Sequence, residues 1–280
     1  MKKNIIIIFG GKSSEHDISV ITGIQTIKNI NRDFFNAFPL YISKGGVFYF
    51  GEKLEDISTF INFNPKQKGI YPATFISGKP FLLTKKWFGY TAPLRVDCAI
   101  ICCHGLNGED GTISGLLDIS CIPYSCSNTL SCATCMDKII MKDIFKANNF
   151  KIVNHTFTIK SKFIENSENE LVRICATVKF PQIVKPTNLG SSIGISKCKN
   201  KVELFSAITL ALKYDDRVVV EEMVENLMEV NCAVKGTTEK CEASLLEQPL
   251  SYDEILTFKE KYLDSKKLSE KEVKEENEID

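Results

Sequence analysis

The sequence predicts an α/β protein, and three observations carry that prediction. The chain opens on a βαβ pattern: the apolar run Ile5–Phe9, helical periodicity from about Ile18 to Asn29, and a second apolar run Phe38–Ile42. The order strand, glycine-rich loop, helix then recurs, as Cys98–Cys102 leads through Gly105, Gly108 and Gly111 into Thr112–Ile119. Strands and a helix alternate again in the second half, at Ile183–Val184, Lys201–Tyr214 and Val218–Glu221. At 280 residues and 44% hydrophobic content the chain can bury a large core, and its size suggests two or three compact units.

Taken in order, Ile5–Phe9 is a first buried strand, because a run apolar at every position suits a strand covered on both faces. Residues 43–95, rich in Gly, Phe and Lys, read as irregular strands and loops. Ala99–Cys102 returns to the sheet and Ile122–Tyr124 is another short strand. Ser131–Asn148 has one helical period, which puts Met136, Ile139, Ile140, Ile144 and Phe145 on a core-facing side. Asn200 caps the helix Lys201–Tyr214, and Glu229–Val234 makes a hairpin-like return after Val218–Glu221. Ser265–Asp280 is a Lys/Glu run with almost no apolar anchor, the composition of a solvated helix or a disordered tail. No internal repeat is visible.

Charge and cysteine content narrow the classes. Lys plus Arg and Asp plus Glu are both 35, so nothing global points to nucleic acid or an anionic membrane, and any phosphate affinity must come from local loops. The apolar run behind the basic tip Lys2-Lys3 is five residues long, too short for a signal h-region or a membrane span. Eleven cysteines are many, yet without a secretion signal reduced thiols are the default. Cys132-Ala-Thr-Cys135 has metal-ligand spacing, but a structural zinc site usually needs two such pairs, and cysteine packs well as a small apolar residue.

Three loops carry chemistry. In Val184-Lys-Pro-Thr-Asn-Leu-Gly-Ser-Ser-Ile-Gly194 a strand-borne lysine precedes a run of small residues. Lys185 supplies a point cation, while Gly190, Ser191, Ser192 and Gly194 let backbone N–H groups and hydroxyls turn onto an anion. The lysine stands ahead of the glycines, so this is not the G-x-x-x-x-G-K-[ST] phosphate loop, and a plain hairpin turn is the simpler alternative. In His104-Gly-Leu-Asn-Gly-Glu-Asp-Gly111, Asp110 reads as a helix cap. His104 closes a buried strand, where α/β proteins place ligands. In Gly10-Gly-Lys-Ser-Ser-Glu-His-Asp-Ile-Ser19, Glu15 and His16 are the chemically able residues.

These three segments, in this order and spacing, resemble the D-alanine–D-alanine ligases of the ATP-grasp superfamily. Met136-Asp-Lys138 is similar to the segment that carries the family's first phosphate lysine, and Lys261-Tyr262 to its mobile-loop pair. The resemblance runs from residue 1 to about residue 264. It implies a Rossmann-like N-terminal substrate domain (1–126), a central ATP-grasp lobe (127–222) and the start of a C-terminal lobe (223–280). It also implies a cytoplasmic enzyme of peptidoglycan precursor synthesis with ATP and D-alanine as small-molecule substrates, Mg2+ as cofactor and a homodimer through the N-terminal domain. Lys138 and Lys185 would neutralise the triphosphate beneath the Gly190–Gly194 loop, with Lys261 on the mobile loop. Glu221 and Glu222 would lie where adenine binds, and Glu229, displaced by one residue from the commoner spacing, at the ribose. His104 and Gly105 would line the substrate site, and Glu15, Ser191 and Tyr262 would form the set that receives the first D-alanine.

The same resemblance implies a departure. Family members continue into strands bearing an acidic pair, an asparagine and an arginine, whereas here no arginine follows Arg217 and no Glu-x-Asn followed by Pro-Gly follows Tyr262. Glu275, Glu276 and Glu278 sit in the charged run, so no metal ligand is assigned and the expectation is a C-terminally truncated, catalytically impaired ligase. A non-catalytic nucleotide or D-alanine binder is the alternative of another class, and a D-alanine–D-serine ligase the alternative within the family. Tyr262 argues against D-lactate as the second substrate, and the first two motifs argue against an unrelated ATP-grasp ligase.

Overall fold

The computed structural model describes residues 2–86 and 88–249. The chain divides into two compact units between Ile144 and Phe145. In the first, β1 (Lys3–Gly10), α1 (His16–Asn29) and β2 (Phe35–Ile42) form the expected βαβ opening. β3 (Phe48–Phe50), β4 (Tyr71–Ile76), β5 (Lys79–Thr84) and β6 (Leu94–Arg95) follow, then β7 (Cys98–Ile101) and α2 (Thr112–Ile119). Together the strands make one seven-stranded sheet in the order β6-β5-β4-β3-β2-β1-β7. Only β2, β1 and β7 run parallel, and the remainder is antiparallel. Residues 43–95 are therefore more regular than their composition implies: a two-residue turn joins β4 to β5, while the connection from β3 to β4 carries two short 3-10 turns, Glu52–Glu55 and Ile57–Phe60.

Alternation along β1 explains its unbroken apolar run. Ile5, Ile7 and Phe9 pack with Val20, Ile24 and Ile27 of α1, while Ile6 and Ile8 pack with Ile113 and Leu117 of α2. Both faces are covered, so neither set of side chains meets water. Ile122–Tyr124 is not a strand, since it makes one parallel bridge between Tyr124 and Ala99.

The single helix expected over Ser131–Asn148 is two, α3 (Thr129–Met136) and α4 (Lys138–Ala147). Asp137 leaves the helical region at φ −81°, ψ 106°, and its carboxylate accepts the Ile139 and Ile140 N–H groups at 3.0 and 3.1 Å. The restart changes the phase of the apolar stripe. Ile139 is buried as expected, Met136 is half-buried, and Ile140, Ile144 and Phe145 are exposed rather than core.

In the second unit, β8 (His155–Ile159), α5 (Lys160–Glu165), α6 (Ser167–Thr177), β9 (Gln182–Pro186), β10 (Ser196–Cys198), α7 (Lys201–Ala211) and β11 (Arg217–Glu222) follow in order. The four strands form an antiparallel sheet, β10-β9-β11-β8. Val184, Val218 and Val220 pack with Ile174 of α6 and with Leu204 and Ile208 of α7. Asn200 caps α7 by accepting the Val202 and Glu203 N–H groups at 3.1 and 3.0 Å, as its sequence position suggested. The expected strand Glu229–Val234 is displaced: β12 (Val234–Gly236) pairs instead with β13 (Cys241–Ala243). Among the described residues no helix is long and apolar enough to cross a membrane.

Candidate functional site

Each unit gathers chemistry-bearing residues at the ends of its strands. In the first, the loop after β1 enters α1 and the loop after β7 enters α2, so parallel neighbours bring Ser13, Glu15, His104 and Gly105 to one edge. Glu15 is 4% exposed, and its N–H donates to Ser13 Oγ at 3.0 Å. Gly105 has φ +66°, and a Cβ there would stand 2.5 Å from Glu15 Oε2 and 2.6 Å from Ser13 Oγ. Glycine is thus required by both conformation and space, and the backbone lies directly on the carboxylate.

His104 is held from three directions. Its N–H donates to Ser19 Oγ at 2.9 Å, its Nε2 lies 3.0 Å from Thr22 Oγ1, and its Nδ1 lies 4.0 Å from Glu109 Oε1. Burial, and then the nearby Glu15 charge, push the Glu109 carboxyl upward. Asp110 is the cap it was expected to be, accepting the Asn107 and Thr112 N–H groups at 2.8 and 2.9 Å. His16 is committed to structure. Its Nδ1–H donates to the Gly11 carbonyl at 2.6 Å, which in the neutral ring leaves Nε2 to accept from the Tyr41 hydroxyl at 3.2 Å. Burial raises the Tyr41 phenol to about 12, so it stays a donor at neutral pH. Beside His104 and Glu109 opens a cleft of about 520 Å³, walled by Thr22 of α1, Ile101 and three cysteines of the segment from Cys126 to Cys135.

Ser13, Ser19 and Thr22 had not been singled out in the sequence. Ser19 and Thr22 signalled themselves as polar residues three apart on α1, whereas Ser13, in the loop ahead of the helix, carried no such signal.

In the second unit, strand parity places the lysine. Val184 faces α7, so Lys185 points to the opposite face of the sheet, where Glu221 also points because Val220 faces α7. The two form a close ion pair, with Glu221 at 6% and Lys185 at 28% side-chain exposure. Glu222 is turned to the other face by the same parity, and its Oε1 accepts from Asn154 Nδ2 at 3.4 Å. Beyond Pro186, Ser191, Ser192 and Gly194 take φ values of +51°, +60° and +72°, and the Ile193 N–H donates to the Gly190 carbonyl at 3.2 Å. The loop is thus a hairpin between antiparallel β9 and β10 as well as a run of left-handed residues. Its base is fastened by Asp215, whose Oδ2 accepts both the Asn188 N–H and Nδ2–H, at 2.7 and 3.0 Å. Nothing local in the sequence marked Asp215, since it belongs to a distant turn.

Of the remaining expected positions, Lys138 is the first residue of α4, Glu229 is exposed in irregular chain, and Lys261 and Tyr262 lie outside the described residues. Among the described residues no group of three or more His, Cys, Asp or Glu side chains is placed to hold a metal ion.

Comparison with known proteins identifies the family. A family model for the N-terminus of D-Ala–D-Ala ligases matches residues 4–127, and one for their C-terminus matches residues 144–280. The chain is 38% identical over 261 residues to a D-alanine–D-alanine ligase of Thermosipho melanesiensis, covering 92% of this chain and 69% of the relative. It is 36% identical over 270 residues to one from Bacillus pumilus, covering 94% of this chain and 72% of the relative. Among solved structures, the VanG D-Ala:D-Ser ligase of Enterococcus faecalis superposes with a TM-score of 0.76 at 30% identity over 89% of this chain and 70% of that one. The Helicobacter pylori D-alanine–D-alanine ligase reaches the same TM-score at 24% identity, a likeness of fold. With both halves matched in order and the sheet-end loops in place, the chain belongs to the D-alanine–D-alanine ligase family of ATP-dependent enzymes, which serve peptidoglycan precursor synthesis.

Proposed function

We propose that the protein is a cytoplasmic, homodimeric ligase that holds ATP at the Lys185 loop and the first D-alanine at Glu15. The observation that carries this reading is Lys185, a cation on a sheet face immediately before a loop of left-handed small residues. Lys138 and Lys185 neutralise the triphosphate, and the Gly190, Ser191, Ser192 and Gly194 backbone turns N–H groups onto it. Glu221, released from Lys185 as phosphate takes the lysine, and Glu222 mark the strand where adenine lies, with Glu229 toward the ribose. In the first unit the Glu15 carboxylate pairs with the substrate ammonium, and His104 and Gly105 line the approach. Ser191 and Tyr262 join Glu15 in receiving the first D-alanine, and Lys261 serves ATP. The three parts of the chain are residues 1–126, 127–222 and 223–280.

In the reaction a carboxylate oxygen of one D-alanine attacks the γ-phosphorus, its bond to the β,γ-bridging oxygen breaks, and ADP leaves. The amine of the second D-alanine, having lost a proton, attacks the acyl carbon and phosphate departs as the peptide bond forms. The lysines stabilise charge on the transferring phosphoryl group. Magnesium, as the family's cofactor, would offset triphosphate charge alongside the lysines.

Titration calorimetry with ATP tests the nucleotide site. Lys185→Ala and Lys138→Ala are each expected to weaken binding by tenfold or more, about 1.4 kcal/mol, since each removes a full charge at close range. Unchanged affinity in both variants would refute the two-lysine assignment.

A further inference from the structure

The cleft beside His104 is walled on its far side by Cys126, Cys132 and Cys135, a grouping that the ligase chemistry does not use. Cys126 lies in the loop just ahead of α3, where its thiol donates to the Ser127 carbonyl at 3.2 Å and lies 3.4 Å from Ser114 Oγ. Cys132, on the first turns of α3, donates its thiol to the same Ser127 carbonyl at 3.3 Å. Two sulfurs therefore flank one oxygen. Cys126 is exposed and Cys132 half-buried, so a solvent-borne reagent reaches the loop thiol first. Burial, and then the charge of Cys126, push the Cys132 thiol upward, consistent with two sulfurs facing each other.

We propose that Cys126 and Cys132 form a thiol-modification site, closed by low-molecular-weight disulfides of the glutathione type into a reversible intramolecular bridge across the wall of the cleft. The Cys126 thiolate attacks one sulfur of the reagent, breaking its S–S bond and releasing one thiolate. Cys132 then loses its proton to solvent and attacks Cys126 Sγ, expelling the second thiol. Two protein thiols are oxidised and one small disulfide is reduced to two thiols.

The geometry selects this pair over Cys132 and Cys135. Those two are three residues apart on a regular helix, where Cβ atoms stand about 5–6 Å apart, beyond the roughly 3.5–4.5 Å that a disulfide spans. Cys126 precedes the helix cap Asn128 and so stands outside the helical backbone that fixes the spacing of Cys132 and Cys135, while both its thiol and that of Cys132 already reach the Ser127 carbonyl. The bridge would tether the loop to the helix along one side of the cleft.

The test uses the full 280-residue chain, folded, with oxidised glutathione as the probe, followed by alkylation and peptide mapping. The expected result is a peptide spanning Cys126 and Cys132 that is about 2 Da lighter than its reduced form, carries no glutathione on either sulfur, and is fully restored by dithiothreitol, whatever adducts form on the other exposed cysteines. Cys135→Ser should leave that bridge intact, and Cys126→Ser should abolish it. A dominant Cys132–Cys135 link, stable glutathione adducts on Cys126 with no bridge, or the same mixture of links in folded and urea-unfolded chain would each overturn the proposal. Because the readout is mass, it stands apart from ATP or D-alanine binding.

Discussion

Two residues in the first unit show how single atoms shape the site. Gly105 is pinned between Ser13 and Glu15 at a left-handed φ, so Gly105→Ala must either move the Glu15 carboxylate or distort the backbone. We expect a larger loss in urea unfolding than for Gly78→Ala, which shares the strain of a positive φ but meets open space, so that both are destabilised and the excess reports the clash with Ser13 and Glu15. Equal losses would show that backbone strain alone accounts for the effect. Glu109 carries the opposite lesson. Its folded carboxyl titrates above the ordinary 4.5, so the folded state holds the proton more tightly than the unfolded chain. Its contribution is fully present below that value and is lost as pH rises through the folded one. Glu109→Gln should therefore leave the melting temperature unchanged at acid pH and raise it relative to the parent once the pH has risen through the folded-state titration. A gap that is constant with pH would argue that the carboxyl is not perturbed.

At the scale of elements, the break at Asp137 is the least legible feature and the most consequential. An uninterrupted period from Ser131 to Asn148 favours one helix, and only the side chain of Asp137, folding back onto two N–H groups, stops it. The sequence held the signal, since aspartate is a good cap, but a cap inside an apolar period is outweighed when periodicity alone is read. Lys138 thereby becomes the first residue of α4 instead of a mid-helix side chain. Asp137→Ala should cost at least about 1 kcal/mol by chemical denaturation. A smaller loss would mean that α3 and α4 can run on as one helix. The Gly190–Gly194 loop is the reverse case, legible because its residue types are dictated by left-handed dihedrals, while the fastening by Asp215 was invisible, being a contact across 27 residues.

Over the whole molecule, the parts dictated by local periodicity were readable: β1, α1, β2, α2, α7 and β11 stand where pattern alone puts them. What pattern could not supply was pairing. The antiparallel extension β3–β6 and the edge strands β8 and β10 are short, and their stability comes from neighbours rather than from their own residues. The charge balance has a further consequence at this scale. With 35 basic and 35 acidic side chains, only three histidines and the terminal amine ordinarily change charge between about pH 5 and 8. Burial keeps Cys98, Cys102, Cys103 and Cys198 protonated above the ordinary thiol range, so they add no negative charge on the alkaline side of that window. Net charge should consequently stay within a few units of zero around the isoelectric point of about 6.8, giving weak self-repulsion over a broad range rather than at one pH. Light scattering at low salt should find the second virial coefficient at a shallow minimum spanning about pH 6–8, rising steeply only below about pH 5 as carboxylates take up protons. A sharp minimum confined to a few tenths of a pH unit would show that titrating groups other than these set the solubility of the chain.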